Sequence, residues 1–225
     1  MSGILWGLIA AGIVGALLAL VVYFVQGAKR IGTATTGTMI DTATRSGAAL
    51  VLVDLQTDYL NPANPPGYTP DQVTAVLEQV NQALDTTAHL MIPAIGIRQE
   101  WQEWGAKLIA RLALKGTGLP GRPGTEIDES LRDRVDVTFT KPHGDAFSNS
   151  EFGAWLAEHR IGHLIIAGLD GCHCVHLTAL GARNRGYDVT LLTPAILAAN
   201  PARWAELRAT YPTLGIAEAE QTPID

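Results

Sequence analysis

Residues 163–194 read HLIIAGLDGCHCVHLTALGARNRGYDVTLLTP. Two apolar runs, HLIIAGLD (163–170) and YDVTLLTP (187–194), bracket CVHLTALGARNRG (174–186). The middle piece has apolar residues at helical spacing and stops at Gly186. Strand, helix, strand in that order predicts a parallel pair joined by a crossover helix. Runs that are apolar at nearly every position fit strands covered on both faces.

The same grammar repeats outward. AALVLVD (48–54) is a continuous apolar run that ends in Asp54, and MIPAIGIR (91–98) is a second strand. Between them lie a Pro/Gly-rich loop (61–70) and DQVTAVLEQVNQALDTTAHL (71–90), a helix with Asp71 as its expected N-terminal cap. SEFGAWLAEHR (150–160) and ARWAELRATY (202–211) read as further helices, and TLGIAEA (213–219) as an edge strand. The alternation predicts an α/β fold: a three-layer α/β/α Rossmann-like domain with a parallel central sheet, over residues 48–225.

The first residues are a separate object. Ile4 to Val25, ILWGLIAAGIVGALLALVVYFV, carries no charge. A helix of that length spans about 30 Å, the thickness of a bilayer's hydrocarbon. No basic residue precedes it, and Gln26-Gly27-Ala28 is a poor cleavage site. Residues 1–28 therefore read as an uncleaved single-pass transmembrane anchor, in contact with the bilayer through residues 4–25. Lys29 and Arg30 follow at once, which places the next domain on the cytoplasmic side. Gly3, Gly7, Ala11 and Gly15 share one helix face, where a second membrane helix could approach closely; Gly and Ala are also simply common in membrane helices. Residues 29–47, rich in Thr, Gly and Ala, read as a linker.

The chain has 225 residues and a formal charge of −6. The acidic balance and the lack of a Lys/Arg cluster exclude a nucleic-acid footprint. Cys172 and Cys174 are the only cysteines. One residue apart, they are poorly placed to bridge each other. No Cys or His follows His176, so a zinc knuckle lacks its second ligand pair. A reactive thiol remains.

In parallel sheets, ligands bind beyond the carboxyl ends of strands. That rule selects Asp54, Asp170, Gly171 and Cys174. Cys174 falls in the first turn of a helix, where the dipole and free N–H groups favour a thiolate. Asp54 can accept a proton, and a lysine nearby could hold carboxylate and thiolate together.

Three segments in order, ALVLVDLQTDYLNP (49–62), TKPHGDAFSNSEFGAWL (140–156) and IIAGLDGCHCVHLTALGARNRGYDVTLL (165–192), resemble the isochorismatase-like cysteine hydrolases. That family includes nicotinamidases, N-carbamoylsarcosine amidases and biuret-type amidohydrolases. PGRPGTEIDESL (120–131) is similar to the family's loop before its lysine. The resemblance implies a catalytic triad of Asp54, Lys141 and Cys174. It implies a non-proline cis peptide at Leu169–Asp170 and an oxyanion hole from the backbone N–H groups of Asp170 and Cys174. It also implies cleavage of a C–N bond in a small amide through a thioester, and a homo-oligomer.

Nicotinamidases carry a metal site with paired histidines after the second strand; GIRQEWQEWGAK (96–107) has none, so no metal and no cofactor are expected. Gln56, Tyr59, Gln99, Phe147 and His173 are the substrate-pocket candidates. For three of them a bland role stands beside the pocket role: core packing for Tyr59, solvent exposure for Gln99, packing or solvation for His173; Gln56 could instead hold Asp54 or its loop. An anchor is an unusual addition to such a domain. The alternative is therefore a catalytically silent accessory subunit of a membrane protein complex, held through a membrane-protein partner.

Overall fold

The computed structural model describes residues 2–223. Helix α1 (Ser2–Ile31) leads into β1 (Gly47–Val53), α2 (Thr57–Leu60), α3 (Pro70–His89), β2 (Ala94–Gln99), α4 (Trp104–Ala113), α5 (Glu129–Arg132) and β3 (Val137–Lys141). The second half runs α6 (Ser150–Glu158), β4 (Ile161–Gly168), α7 (Cys174–Arg183), β5 (Asp188–Ile196), α8 (Pro201–Arg208), α9 (Tyr211–Leu214) and β6 (Ile216–Ala219). Among the described residues the strands form one six-stranded sheet in the order β3-β2-β1-β4-β5-β6. Every pairing is parallel.

Strand β1 shows why a uniformly apolar run was needed. Ala49, Val51 and Val53 pack into one core with Phe152, Val175 and Tyr187, while Leu50 and Leu52 pack into a second core with Val76 and Val80 of α3. Successive side chains point to opposite faces of a strand, so a central strand with helices on both sides must be apolar throughout. All of Ala49 to Val53 is at most 1% exposed. The expected α/β/α layering is therefore what these residues build.

Two details of the sequence reading need correction. The cap of α3 is Thr69, not Asp71: the Thr69 hydroxyl accepts from Gln72 N–H, and the Gln72 side chain accepts from Thr69 N–H. Pro70 takes the first helical position, which shifts the start of α3 back by one residue and puts Asp71 inside the first turn. The sequence reading also contains no strand at 137–141. VTFTK alternates exposure at the sheet edge, and a short half-buried edge strand lacks the apolar run that marks β1 and β4.

The segment after α1 is bound along the domain. Thr35 donates through its N–H and its hydroxyl to Asp145 (2.8 and 2.6 Å), and Arg185 donates to the carbonyls of Thr35 and Thr36. Ile40 N–H donates to Arg185 O (2.7 Å). A Thr-rich stretch suits this role, because its hydroxyls and freed backbone supply the hydrogen bonds. Helix α1 is long and apolar enough to cross a membrane, by length and composition. It continues past the expected end of the apolar run, and Tyr23 and Phe24 pack at a tilt against Trp104 of α4 (centroids 6.3 and 5.7 Å).

Candidate active site

The chain builds strands outward from β1 through β2 to β3, then returns to β4 on the other side of β1. The carboxyl ends of β1 and β4 thus diverge into different connections. This is the position where open parallel sheets form a crevice. Asp54 follows β1 directly, and its backbone sits at φ 54°, a left-handed conformation that aspartate tolerates better than most residues. Gly168 ends β4 at φ 116°; a Cβ there would lie 2.1 Å from Val53 O, so only glycine lets β4 approach β1 so closely. The Leu169–Asp170 peptide is cis, and Cys174 opens α7.

Lys141 closes the arrangement from the edge strand β3. Its Nζ lies 2.9 Å from Asp54 Oδ2 and 3.2 Å from Cys174 Sγ. It also donates to Gln99 Oε1 (2.6 Å) and to His143 O (3.3 Å). Lys141 is 0% exposed and Asp54 2%. A buried ammonium with a carboxylate and two further acceptors is a fully compensated charge. Asp54 is not so saturated: its Oδ1 is buried and has no hydrogen-bond partner among the described residues. The Cys174 thiol lies beside the carboxylate.

Burial raises the Asp54 pKa above the usual carboxylate range, with Lys141 and then Cys174 pulling it part of the way back. Burial pulls Lys141 down, but the charges of Asp54 and Cys174 outweigh it and its pKa stands above the ordinary lysine value. Burial pushes the Cys174 thiol well up, the Asp54 charge pushes it further, and Lys141 opposes both. Moving the thiol proton to Asp54 leaves the net charge of the cluster unchanged, and Lys141 stays paired with whichever partner is negative. That makes internal proton transfer less costly than ionising the thiol into the solvent.

Asp54 and Cys174 line a cavity of about 370 Å³ together with Tyr59, Pro65, Pro66, Trp101, Leu114, Leu169, Asp170, His173 and Ala199. Of the sequence-derived pocket candidates, Tyr59 and His173 are therefore in the wall. Burial, then the Asp54 charge, holds the Tyr59 hydroxyl well above its ordinary pKa. Gln56 and Gln99 are not in the wall. Both are 0% exposed and lie beneath it. Gln56 Oε1 accepts from Gln99 N–H (2.6 Å), and Gln99 Oε1 holds Lys141, so the pair orients the ammonium from behind. Phe147 is a correction: it packs in the core against Phe152 and Tyr187 (4.9 and 5.4 Å), with Arg185 over its ring at 4.6 Å. An aromatic soon after the lysine gave no information about which way the loop turns. Pro65, Pro66 and Leu114 were not identified from the sequence. Loop prolines and a leucine after a helix carry no chemical signature, and only tertiary folding brings them to the cavity.

The backbone N–H groups of Asp170 and Cys174 donate to no acceptor among the described residues. The surrounding loop is otherwise well tied. The Asp170 carboxylate accepts from Cys172 N–H (2.6 Å), Tyr68 O–H (2.8 Å) and Ala199 N–H (2.6 Å). Cys172 points elsewhere, with its Sγ 3.4 Å from Asn200 O. After β2, where a metal site would need carboxylate and imidazole ligands, Glu100 pairs with Arg98 (3.8 Å). Among the described residues no three His, Cys, Asp or Glu side chains converge.

A model of the isochorismatase domain matches residues 48–211. Solved structures share the fold at low identity. An isochorismatase family protein from Desulfovibrio vulgaris is 21% identical, with TM-score 0.67 over 76% of this chain and 92% of that one. The N-carbamoylsarcosine amidase from Thermoplasma acidophilum is 18% identical, with TM-score 0.66 over 80% and 99%. The pyrazinamidase of Pyrococcus horikoshii, solved in complex with zinc, is 22% identical, with TM-score 0.63 over 78% and 99%.

Proposed function

The chain belongs to the isochorismatase family of hydrolases, and from that premise we propose that it is a membrane-anchored cysteine hydrolase that cleaves the C–N bond of an amide. Asp54, Lys141 and Cys174 are its triad. The observation that carries the proposal is one shared ammonium: Lys141 Nζ touches both Asp54 Oδ2 (2.9 Å) and Cys174 Sγ (3.2 Å), while Asp54 Oδ1 has no hydrogen-bond partner among the described residues.

In the first half-reaction Asp54 takes the Cys174 proton as Sγ attacks the carbonyl carbon. The resulting oxyanion accepts from the N–H groups of Asp170 and Cys174, an interaction worth about 3 kcal/mol per donor in comparable sites. Protonated Asp54 then gives its proton to the leaving nitrogen, the C–N bond breaks, and a thioester remains. In the second half-reaction Asp54 takes a proton from water, the hydroxide oxygen attacks the thioester, and the carboxylic acid leaves as the thiol is restored. The raised pKa of Asp54 makes it a stronger base than a surface carboxylate. Helix α1 supplies the anchor, with the domain on the cytoplasmic side by the charges at Lys29 and Arg30.

The test is alkylation of the full-length protein with iodoacetamide. An ordinary thiol labels faster as pH rises toward its own pKa. Cys174 should instead label at a rate that is already level near neutral pH, because Asp54 sets it. Labelling should persist in Cys172→Ala and vanish in Cys174→Ala. Labelling at Cys174 that is unchanged by Asp54→Asn would instead fit a silent accessory subunit.

A further inference from the structure

Helix α4 carries a surface that the hydrolase reading does not use. Trp104, Ile109 and Leu112 are 57%, 50% and 79% exposed, on a helix that buries Ala106 and Ala110 on its other side and Gly105 against Phe24 of α1. Lys107 and Arg111 flank the apolar residues, and Lys115 follows. A short helix with a tryptophan and aliphatic residues on one side and basic residues beside them has the composition of a helix lying in a bilayer interface.

Its position in the molecule gives that composition a partner. Trp104 packs at a tilt against Tyr23 and Phe24, the last aromatics of the apolar run of α1. In a spanning helix these residues sit at headgroup depth, where Trp and Tyr concentrate. The α4 segment stays against α1 beyond that level: Glu103 pairs with Arg30 (3.8 Å), and Gly105, Ala106 and Ile109 border a small cavity with Gly27, Ala28 and Ile31. The end of α1 also meets the pole of the sheet that carries the site. Gly144 N–H donates to Ile31 O (3.1 Å), three residues after Lys141. The cavity wall is built from both ends of α4, with Trp101 just before it and Leu114 just after it.

We propose that α4 rests its Trp104–Ile109–Leu112 side in the bilayer surface, and that the cavity receives from there an amide bearing an apolar tail. The occupant of the α4 surface is the lipid interface, with its anionic headgroups on Lys107, Arg111 and Lys115. Pro65, Pro66, Trp101, Leu114 and Leu169 of the cavity suit a hydrocarbon chain, and Cys174 and Asp54 suit its amide end. The substrate side of this inference rests on Cys174 being the nucleophile proposed above.

The test uses the full chain in vesicles of phosphatidylcholine and phosphatidylglycerol. A nitroxide is placed at Leu112→Cys in a Cys172→Ala, Cys174→Ala background, with Glu78→Cys on α3 as the reference. Collision with oxygen should exceed collision with a water-soluble nickel complex at residue 112 and not at residue 78. Equal accessibility at both sites overturns the proposal. So does spin–spin broadening at 112 that grows with protein density, which would assign the surface to a second copy of the chain.

The cavity is tested by alkylating Cys174 with N-dodecyl and N-ethyl iodoacetamide in the Cys172→Ala protein. The dodecyl reagent should react at least about tenfold faster in vesicles, since each buried methylene favours the bilayer. Leu112→Asp should shrink that ratio and leave the N-ethyl rate unchanged. A fast N-ethyl rate with no dodecyl advantage overturns this inference alone. An N-ethyl rate no faster than in Asp54→Asn overturns the nucleophile reading beneath it.

Discussion

Asp54 and Asp145 are both buried carboxylates, at 2% and 0% exposure, and burial raises the pKa of both. Their surroundings differ in one respect. Asp145 has donors on both oxygens: Oδ2 accepts from Thr35 N–H and O–H, and Oδ1 accepts from Phe147 N–H (2.9 Å). Gly181 is pressed against it, where a Cβ would lie 2.2 Å from Oδ2. Asp54 has Lys141 on one oxygen, no hydrogen-bond partner among the described residues on the other, and a cavity beside it. A carboxylate with donors on both oxygens fastens the chain to itself. One left with a free lone pair next to a thiol is equipped to move a proton. Burial and a shifted pKa are common to both, so neither identifies a functional group without the count of partners.

Substitution at the two positions should separate rate from stability. The largest effect is expected for Asp54→Asn, which keeps the shape and removes the base. Cys174 alkylation near neutral pH should fall by about a thousandfold, within the range general bases supply. Asp145→Asn should change that rate by less than about threefold, since Asp145 has no contact with the thiol. A comparable loss in both variants would mean that the asymmetry of partners is irrelevant.

Asp145→Ala should reverse the ranking for stability. It strands the Thr35 and Phe147 donors and opens the contact with Gly181. A loss of about 2–4 kcal/mol is expected by chemical denaturation, from several hydrogen bonds to a charged acceptor. The segment from Thr33 to Ile40 should become accessible to protease in the folded state.

The pH dependence sharpens the comparison further. A carboxylate whose folded pKa is raised binds its proton more tightly in the folded state. Its contribution to stability therefore falls as pH rises from the unfolded value of 3.8 through the raised folded value, and is level above that. Asp54→Asn should remove part of this fall, seen as a smaller difference between unfolding midpoints across that window. The acid limb of Cys174 alkylation should lie above the ordinary carboxylate range and disappear in the same variant.

Thr35→Ala should be the mildest change. It removes one hydroxyl from Asp145 and leaves the backbone donor, for a loss of about 1 kcal/mol and no change in alkylation. A larger loss would show that the segment after α1 is held mainly through this one side chain.

Much of this molecule is written in local sequence. The uniformly apolar strands β1 and β4 announce a sheet covered on both faces, and the residues that follow each strand mark the site. The charge-free run at 4–25 announces a helix of membrane length. These signals are legible because burial on both faces, or in lipid, constrains every position in a segment. Lys141 is different. It lies on a short edge strand that lacks such a run, and it was picked out by resemblance. What folding alone decided is how far it reaches: past the end of β2, over Gln99, to a carboxylate and a thiol far apart in the chain. Folding also turned Phe147 into the core, sank Gln56 and Gln99 beneath the cavity, and gave Asp145 rather than Asp54 donors on both oxygens. Periodicity reports which face of an element is covered. The count of partners around a buried charge depends on which elements meet there, and that is a property of the assembled fold.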